Sequence, residues 1–356
     1  MAFHATSYLR NWTAILLCAL FGIAPPSSAS QPRTKHRIQL IPHYSSGEVL
    51  RYSIQFRGKT TAKAIGPIVD PDGASQSEQS ISMILRLEVI SVDTSGNGVA
   101  RMRATYEKVA ANGKSNSYDP NAAALEKQYD SLEGRSIEFS LHPDGRISDV
   151  AGLEDIVKDP ARAAAVNQWL SQITLGASTP RREITAGEKW SSQQPVAGTP
   201  LDGLVWRAKS TYQGDEPCAV PGTKPDSADG AANAANSVSA PQVCAMILTR
   251  SETRHAKRGD STPEAYKKSG LRTSGEWKGS GETLTGISLR TGIVMSVTQS
   301  STTHMDVTIT AVATGNSVRY TDDTQSEAQI TLLPEPISLK PGSPSSSRPN
   351  QLQLKF

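Results

Sequence analysis

Residues 134–150, GRSIEFSLHPDGRISDV, contain the clearest short-range fold signal in the chain. Apolar residues alternate with polar ones in its first half, and this spacing puts them on one face of a strand: Ile137, Phe139 and Leu141. Pro143 presets φ for a turn, and Gly145 suits the left-handed position that closes a hairpin. The segment therefore predicts two antiparallel strands joined by a tight turn.

The segment that follows, residues 159–176 (DPARAAAVNQWLSQITLG), predicts the best-formed helix of the chain. Pro160 suits the first helical position, where its missing N–H costs nothing, and Gly176 ends the run. Its apolar residues recur at helical spacing: Val166, Trp169, Leu170 and Ile173. Two interpretations stay open: the helix covers a curved sheet as ordinary core, or it plugs an incomplete barrel.

Strand signals lie on both sides of this centre. The strongest covers residues 81–92, where Ile81, Met83, Leu85, Leu87 and Val89 fall on one face. Weaker alternation occurs over residues 47–56, 99–109, 281–298 and 303–313. The sequence thus predicts a mainly β (α+β) protein: an antiparallel curved sheet or incomplete barrel around one central amphipathic helix.

Composition shifts along the chain suggest its organisation. Both β-rich regions open on the same dipeptide, Gly47-Glu48 and Gly187-Glu188, which hints at two similar halves. The predicted segments are a signal peptide (1–29), a mobile basic arm (30–46), a first β-rich half (47–176), a second β-rich half (177–333) with a disordered insertion (214–241), and a Pro- and Ser-rich tail (334–356).

The N-terminal segment has the pattern of a secretory signal. Arg10 precedes an apolar stretch over residues 13–24, and small residues follow, so we expect cleavage after Ala29 or Ser30. The apolar stretch is short for a membrane span, which predicts no transmembrane anchor after cleavage. The expected location is secreted or periplasmic.

Net charge, aromatic content and the cysteines limit the classes of partner that we expect. The formal net charge is +3, and such a mild excess predicts no dedicated nucleic-acid partner. Aromatic residues make up only 5% of the chain, which argues against an aromatic carbohydrate-binding groove. After the signal, the cysteines are Cys218 and Cys244, and in an exported protein they most simply form a disulfide.

Recognisable catalytic signatures are missing from the sequence, including the serine-hydrolase elbow, the zinc-protease motif and the phosphate-binding loop. The histidines are scattered, and the carboxylates of Asp70 and Asp72 suit a turn better than a calcium loop. We therefore assign no catalytic residue, no metal site and no cofactor.

The apolar faces suggest one ligand site. Its wall would combine strand and helix residues: Met83, Leu85, Leu87, Phe139, Trp169 and Ile173. In this outline, over residues 47–332, the chain resembles the bacterial periplasmic lipoprotein-carrier and lipid-binding superfamily. It also resembles uncharacterised secreted bacterial families with a Gly-Glu-opened strand and repeated hairpins. The resemblance implies a curved β shell that holds an apolar molecule.

The predicted function is an exported, non-enzymatic binding or envelope-scaffold protein that holds an apolar or lipid-like ligand. Its partners would be an apolar small molecule or an envelope protein. One alternative is a cell-surface protein–protein interaction module that uses strand edges and charged loops. Another is an enzyme whose site assembles only in space.

Overall fold

A computed structural model of the chain describes residues 36–66, 73–93, 98–116, 129–156, 170, 179–180, 182–196, 199–218, 242–255 and 260–334. Thirteen strands lie in these residues, in two sheets. The strands are β1 (Arg37–Ile38), β2 (Val49–Ile65), β3 (Ser75–Val92), β4 (Ala100–Ser115), β5 (Ser136–Leu141), β6 (Ile147–Ala151), β7 (Ile184–Thr185), β8 (Lys189–Pro195), β9 (Leu204–Pro217), β10 (Val243–His255), β11 (Leu271–Ser288), β12 (Val294–Ala311) and β13 (Ser317–Leu332).

Eleven of these strands form one antiparallel sheet in the order β6-β5-β4-β3-β2-β13-β12-β11-β10-β9-β8. Each half of the sheet is a meander in which sequence neighbours pair. The two meanders join where β2 pairs with β13 along a register that runs from Arg319 opposite Ile65 to Leu332 opposite Tyr52. The sheet is curved and unclosed, with β6 and β8 at its edges, so the predicted mainly β, antiparallel architecture is confirmed.

The hairpin expected at the centre of the sequence is present as β5 and β6. The N–H of His142 donates to the carbonyl of Arg146 at 2.9 Å, and the N–H of Gly145 donates to the carbonyl of His142 at 2.8 Å. Gly145 has φ +76°, the left-handed conformation for which glycine is suited. Local turn chemistry therefore fixes this hairpin.

The core face of the sheet is the face that carries Tyr52, Leu85, Met102 and Phe139, each at most 1% exposed. The residues that pack there come from β2–β5 and β9–β13, because alternate residues of every strand point to the same side. Leu170 has helical backbone, is fully buried and belongs to the same cluster. A second, smaller cluster contains Leu201, Leu204 and Val307.

The arm predicted over residues 30–46 is anchored in its described part. β1 pairs with β7 through Arg37–Thr185 and Ile38–Ile184, and Ile38 and Leu40 are 6% and 5% exposed. The alternation of Ile38 and Leu40 gives this short stretch one apolar face, and that face enters the main core. Residues 37–40 are therefore held in place, whereas the sequence suggested a mobile arm.

The disulfide is confirmed: Cys218 and Cys244 are bonded across the ends of β9 and β10. β9 continues to Pro217, so the first residues of the insertion predicted over 214–241 are strand. The rest of that segment, residues 219–241, lies outside the described residues.

The predicted helix over residues 159–176 lies outside the described residues except for Leu170. Elsewhere in the described ranges, helical backbone is limited to residues 129–130 and to α1 (Glu264–Lys268). None of the helices in the described part of the chain is long and apolar enough to cross a membrane.

Candidate functional site

The face of the sheet opposite the core is polar and contains an open groove. We call it the groove face, and it carries the side chains that alternate with those of the core, such as Arg57 and Lys59 on β2. The groove has a volume of about 940 Å³ and is lined by eight consecutive strands from β4 to β9 in sheet order. One concavity that spans so many strands requires the sheet to curve around it.

Two cross-strand rows of side chains line the groove, and in both rows each residue is the register partner of the next. The first row is Asn112, Ser80, Arg57, Glu327, Ser300, Glu282, Arg250 and Lys209. The second row is Lys114, Glu78, Lys59, Gln325, Thr302, Ser280, Glu252 and Arg207. Because neighbours in a row lie on adjacent strands, each row runs across the sheet at about 4.8 Å per residue.

Uncharged polar residues occupy the centre of the second row, whereas Ser300 in the first row lies between Glu327 and Glu282. Ser300 and Thr302 lie on β12, with Ser280 and Gln325 on the flanking strands. The hydroxyls of Ser280 and Thr302 are 3.0 Å apart and share a hydrogen bond. The floor of the groove therefore offers hydroxyl and amide groups, which both donate and accept hydrogen bonds.

Three of the four glutamates in the groove have a cation in contact. Lys59 Nζ lies 3.1 Å from Glu78, and Arg250 Nε lies 2.8 Å from Glu282. Glu252 pairs with Arg254 just outside the groove, at 2.8 Å. The fourth, Glu327, lies opposite Arg57 in the register of β13 and β2. The negative charge of the groove is therefore largely offset by cations close to it.

Three cations at the ends of the groove have no such partner. Within the described residues, no ion pair involves Lys114 at the β4 end or Arg207 and Lys209 at the β9 end. The Nε of Arg207 is enclosed and has no hydrogen-bond partner in the described part of the structure. Both ends of the groove thus carry positive charge that is available to an anion.

On the same face, the charged residues of β2 to β5 are arranged differently from those of the groove. There, Arg51, Glu107, Arg86, Glu88, Arg103, Glu138 and Arg101 form one chain of alternating ion pairs. Hydrogen bonds from Arg103 and Arg101 hold the pKa of Glu138 below its usual value, and the Arg103 contribution is the larger. Every charged side chain in this series of ion pairs contacts one of opposite charge, so this region suits a structural role.

A smaller concavity continues the groove along the strands. Its lining includes Lys278, His304 and Asp323, and His304 Nδ1 lies 2.7 Å from an Asp323 carboxylate oxygen. A histidine held by a carboxylate is a common element of catalytic sites, and Thr302 lies two residues away on the same face. Both side chains of the pair are well exposed, which favours a surface ion pair over an activated base.

The sequence placed the ligand site on the other face. Leu85, Leu87 and Phe139 are fully buried in the main core, and Met83 packs against it partly exposed. Trp169 and Ile173 lie outside the described residues, so the structure brings together only the strand part of the predicted wall. The apolar site stays a prediction. Among the described residues, no cluster of three or more His, Cys, Asp or Glu side chains has metal-binding geometry.

Sequence reasoning missed the groove because its strands lack an apolar pattern over these residues. The segments 75–80 and 298–304 are almost entirely polar on both faces, and hydrophobic alternation is the main strand signal. Serine and threonine at every position of 300–303 could have suggested a strand, since threonine favours strands. Pairing of β2 with β13, which brings the two halves of the groove together, has no local signal.

Comparison with known proteins does not assign the chain to a family. No family model matches it, and no curated protein matches it. Solved structures match it only at low similarity, and three of them are described next.

A lipovitellin structure that describes lipid–protein interactions has a TM-score of 0.41 and 10% identity. It covers 82% of this chain, which spans about a quarter (25%) of that one. DynF of the dynemicin pathway of Micromonospora chersina covers 88% of this chain and 95% of its own, with a TM-score of 0.18 and 8% identity. The outer membrane protein OprG of Pseudomonas aeruginosa covers 82% and 98%, with a TM-score of 0.18 and 7% identity. At these scores the function must be argued from the chain itself.

Proposed function

We propose that this chain is an exported binding protein and that its ligand lies in the groove. The supporting observation is a single concavity of about 940 Å³ lined by side chains from eight consecutive strands. Ligand sites commonly measure about 300–1,000 Å³ and combine a preformed shape with a few placed polar groups. This groove is open and polar, so it suits a large, hydrophilic ligand that is only partly enclosed.

Export is supported by two features. The Cys218–Cys244 bond is of a kind that persists in oxidising compartments and is rare in the cytosol. The N-terminal residues have the charge, apolar stretch and small residues of a secretory signal. The proposal does not involve catalysis: the groove binds and holds its ligand without changing it.

Native mass spectrometry of the full chain, purified from its own source without denaturation, tests this proposal. We expect a measured mass greater than that of the disulfide-bonded chain alone. The difference is the mass of a co-purifying ligand. Replacement Ser280→Trp places an aromatic ring in the centre of the groove floor and should abolish the added mass.

Ser274→Trp provides the matched control. Ser274 lies on the same strand and the same face and is exposed, but it does not line the groove. This variant should keep the ligand. An added mass that persists in Ser280→Trp, or that never occurs, contradicts the proposal.

An apolar ligand against Leu85, Leu87 and Phe139 is the other candidate from the sequence. Its support is the burial of Leu170 in the same cluster as these three residues. If that site holds fatty ligands, their addition should change the tryptophan fluorescence, and Trp169→Phe should remove the change. A co-purifying fatty molecule that survives Ser280→Trp would favour this site over the groove.

A further inference from the structure

The charge distribution of the groove narrows the class of ligand. Glu78, Glu252 and Glu282 have cations in contact, and the groove residues Arg57 and Glu327, which form no ion pair within the described residues, lie opposite each other in the register. The described groove cations that have neither an ion pair nor an unpaired carboxylate opposite them are Lys114, Arg207 and Lys209. They stand at opposite ends of the two rows, on β4 and β9. A ligand that meets all three must carry negative charge at both of its ends.

The floor of the groove between these ends indicates a second property of the ligand. Its central residues are Ser280, Ser300, Thr302 and Gln325, with Glu282 and Glu327 on either side of Ser300, and the described residues of the groove lining include no aromatic and no large aliphatic side chain. Single-stranded nucleic acids bind largely by stacking their bases on aromatic rings, and acyl chains need apolar walls. A chain of hydroxyl-bearing units fits this floor better than either.

The length of the groove indicates a third property of the ligand. Lys114 and Arg207 lie seven strand spacings apart along the second row, which at about 4.8 Å per spacing is a path of about 34 Å along the sheet. Because the sheet curves around the groove, the direct distance between the two ends is shorter than this path. A ligand that contacts both ends must still cross the width of the groove, so it is larger than a single small anion.

We propose that the groove binds an acidic oligosaccharide: an extended, hydroxyl-rich chain with carboxylate or sulfate groups. Lys114 contacts an anionic group at one end, Arg207 and Lys209 contact anionic groups at the other, and the central hydroxyls bind the sugar hydroxyls. This inference rests on the proposed function of the groove and specifies its ligand.

Calorimetric titration of the full, disulfide-bonded chain with polygalacturonate tests the ligand class. Polygalacturonate should bind, and raising the salt concentration should weaken it because the contacts are ionic and exposed. Uncharged dextran should not bind. Galacturonate oligomers should gain affinity with length until they reach both ends of the groove, and longer chains should gain little more.

The triple variant Lys114→Gln, Arg207→Gln, Lys209→Gln should weaken polygalacturonate binding at least about tenfold, because each charge-assisted hydrogen bond adds to the affinity. The control triple Lys268→Gln, Arg272→Gln, Arg290→Gln removes the same charge from exposed sites outside the groove and should change affinity less than about twofold. Lys209→Gln alone, at an exposed site, keeps the test valid if Arg207→Gln disturbs folding.

Three results would overturn the inference: no binding of polygalacturonate, equal losses in the two triple variants, or equally tight binding of a single-stranded oligonucleotide with the same dependence on Lys114, Arg207 and Lys209. None of them removes the proposed function by itself. If the co-purifying mass still depends on Ser280, the groove remains a binding site and only the glycan is excluded. If that mass is also insensitive to Ser280→Trp, both proposals fail.

Discussion

The two faces of the eleven-stranded sheet use the same strands for opposite purposes. On the core face, Tyr52, Leu85 and Phe139 pack into one cluster with almost no solvent contact. On the groove face, alternate residues of the same strands are charged or hydroxylated and largely exposed. The comparison suggests that the core face determines stability and leaves the groove face free to carry a ligand site. Each experiment below separates the two contributions.

The largest difference should come from truncating the core. Phe139→Ala removes a fully buried ring and should lower the free energy of unfolding by about 3–5 kcal/mol, from lost burial and the cavity left behind. Ser300→Ala, on the groove floor, should change it by less than about 0.5 kcal/mol. Urea unfolding followed by circular dichroism measures both. Similar losses for the two variants would contradict the division between the faces.

The disulfide should come next. It closes a loop with a sequence separation of 26, and its removal by Cys218→Ser with Cys244→Ser should cost about 2–4 kcal/mol, because the unfolded chain gains freedom. Reductant should lower the melting temperature of the native chain and leave that of the double variant unchanged. The bond joins the C-terminal end of β9 to the N-terminal end of β10, several residues from Lys209 and Arg250. We therefore expect polygalacturonate affinity to be unchanged below the melting temperature.

A third experiment concerns the polar middle of the core face, where Trp206 lies over Gly279. A Cβ atom on residue 279 would come within 2.7 Å of Trp206 Cη2 and 3.0 Å of Thr253 Cγ2. Gly279→Ala should therefore cost about 1–3 kcal/mol through overpacking. The same substitution in a Trp206→Leu background should cost less, and a double-mutant cycle measures the difference. Additive effects would show that the ring does not need the glycine.

These contrasts also show what the sequence could predict. The hairpin at Gly145 and the burial of Ile137 and Phe139 follow from local turn chemistry and alternation, so they were predictable. The full length of β3 was not, because residues 75–80 are polar and hydrophobic alternation begins only at Ile81.

The groove was still harder to predict. It requires Arg57 on β2 to lie beside Glu327 on β13, and these residues come from opposite ends of the described chain. Sheet curvature then brings β4 and β9 to the same concavity. Neither the long-range pairing nor the curvature produces a periodic pattern in the residues involved. From the sequence alone, these charged residues are therefore predicted only to be exposed.

On the groove face, the series of ion pairs that includes Glu138 should make folding stability depend on pH. Hydrogen bonds from Arg103, and then from Arg101, lower the pKa of Glu138 in the folded state. Its contribution to stability is therefore present above the unfolded pKa of about 4.3 and is lost as pH falls through the lower folded value. Glu138→Gln should reduce stability slightly at neutral pH, and the deficit should shrink on acidification. A deficit that is independent of pH would mean that packing, not charge, explains the loss.

On the core face, the effect of Asp322 on folding stability should depend on pH in the opposite direction to that of Glu138. It should also be the smallest of the effects described here. Burial, followed by the charge of Asp323, raises its pKa in the folded state, although a hydrogen bond from Thr324 partly compensates. The folded state then holds the proton more tightly than the unfolded one, so stability falls as pH rises above about 3.9 through the raised folded value. Asp322→Asn removes this penalty and should raise the melting temperature slightly at neutral pH, with the gain vanishing in acid. Since Asp322 lies partly in solvent, the gain is limited by screening. A loss of stability at neutral pH would show that its carboxylate supports the strand pairing more than burial opposes it.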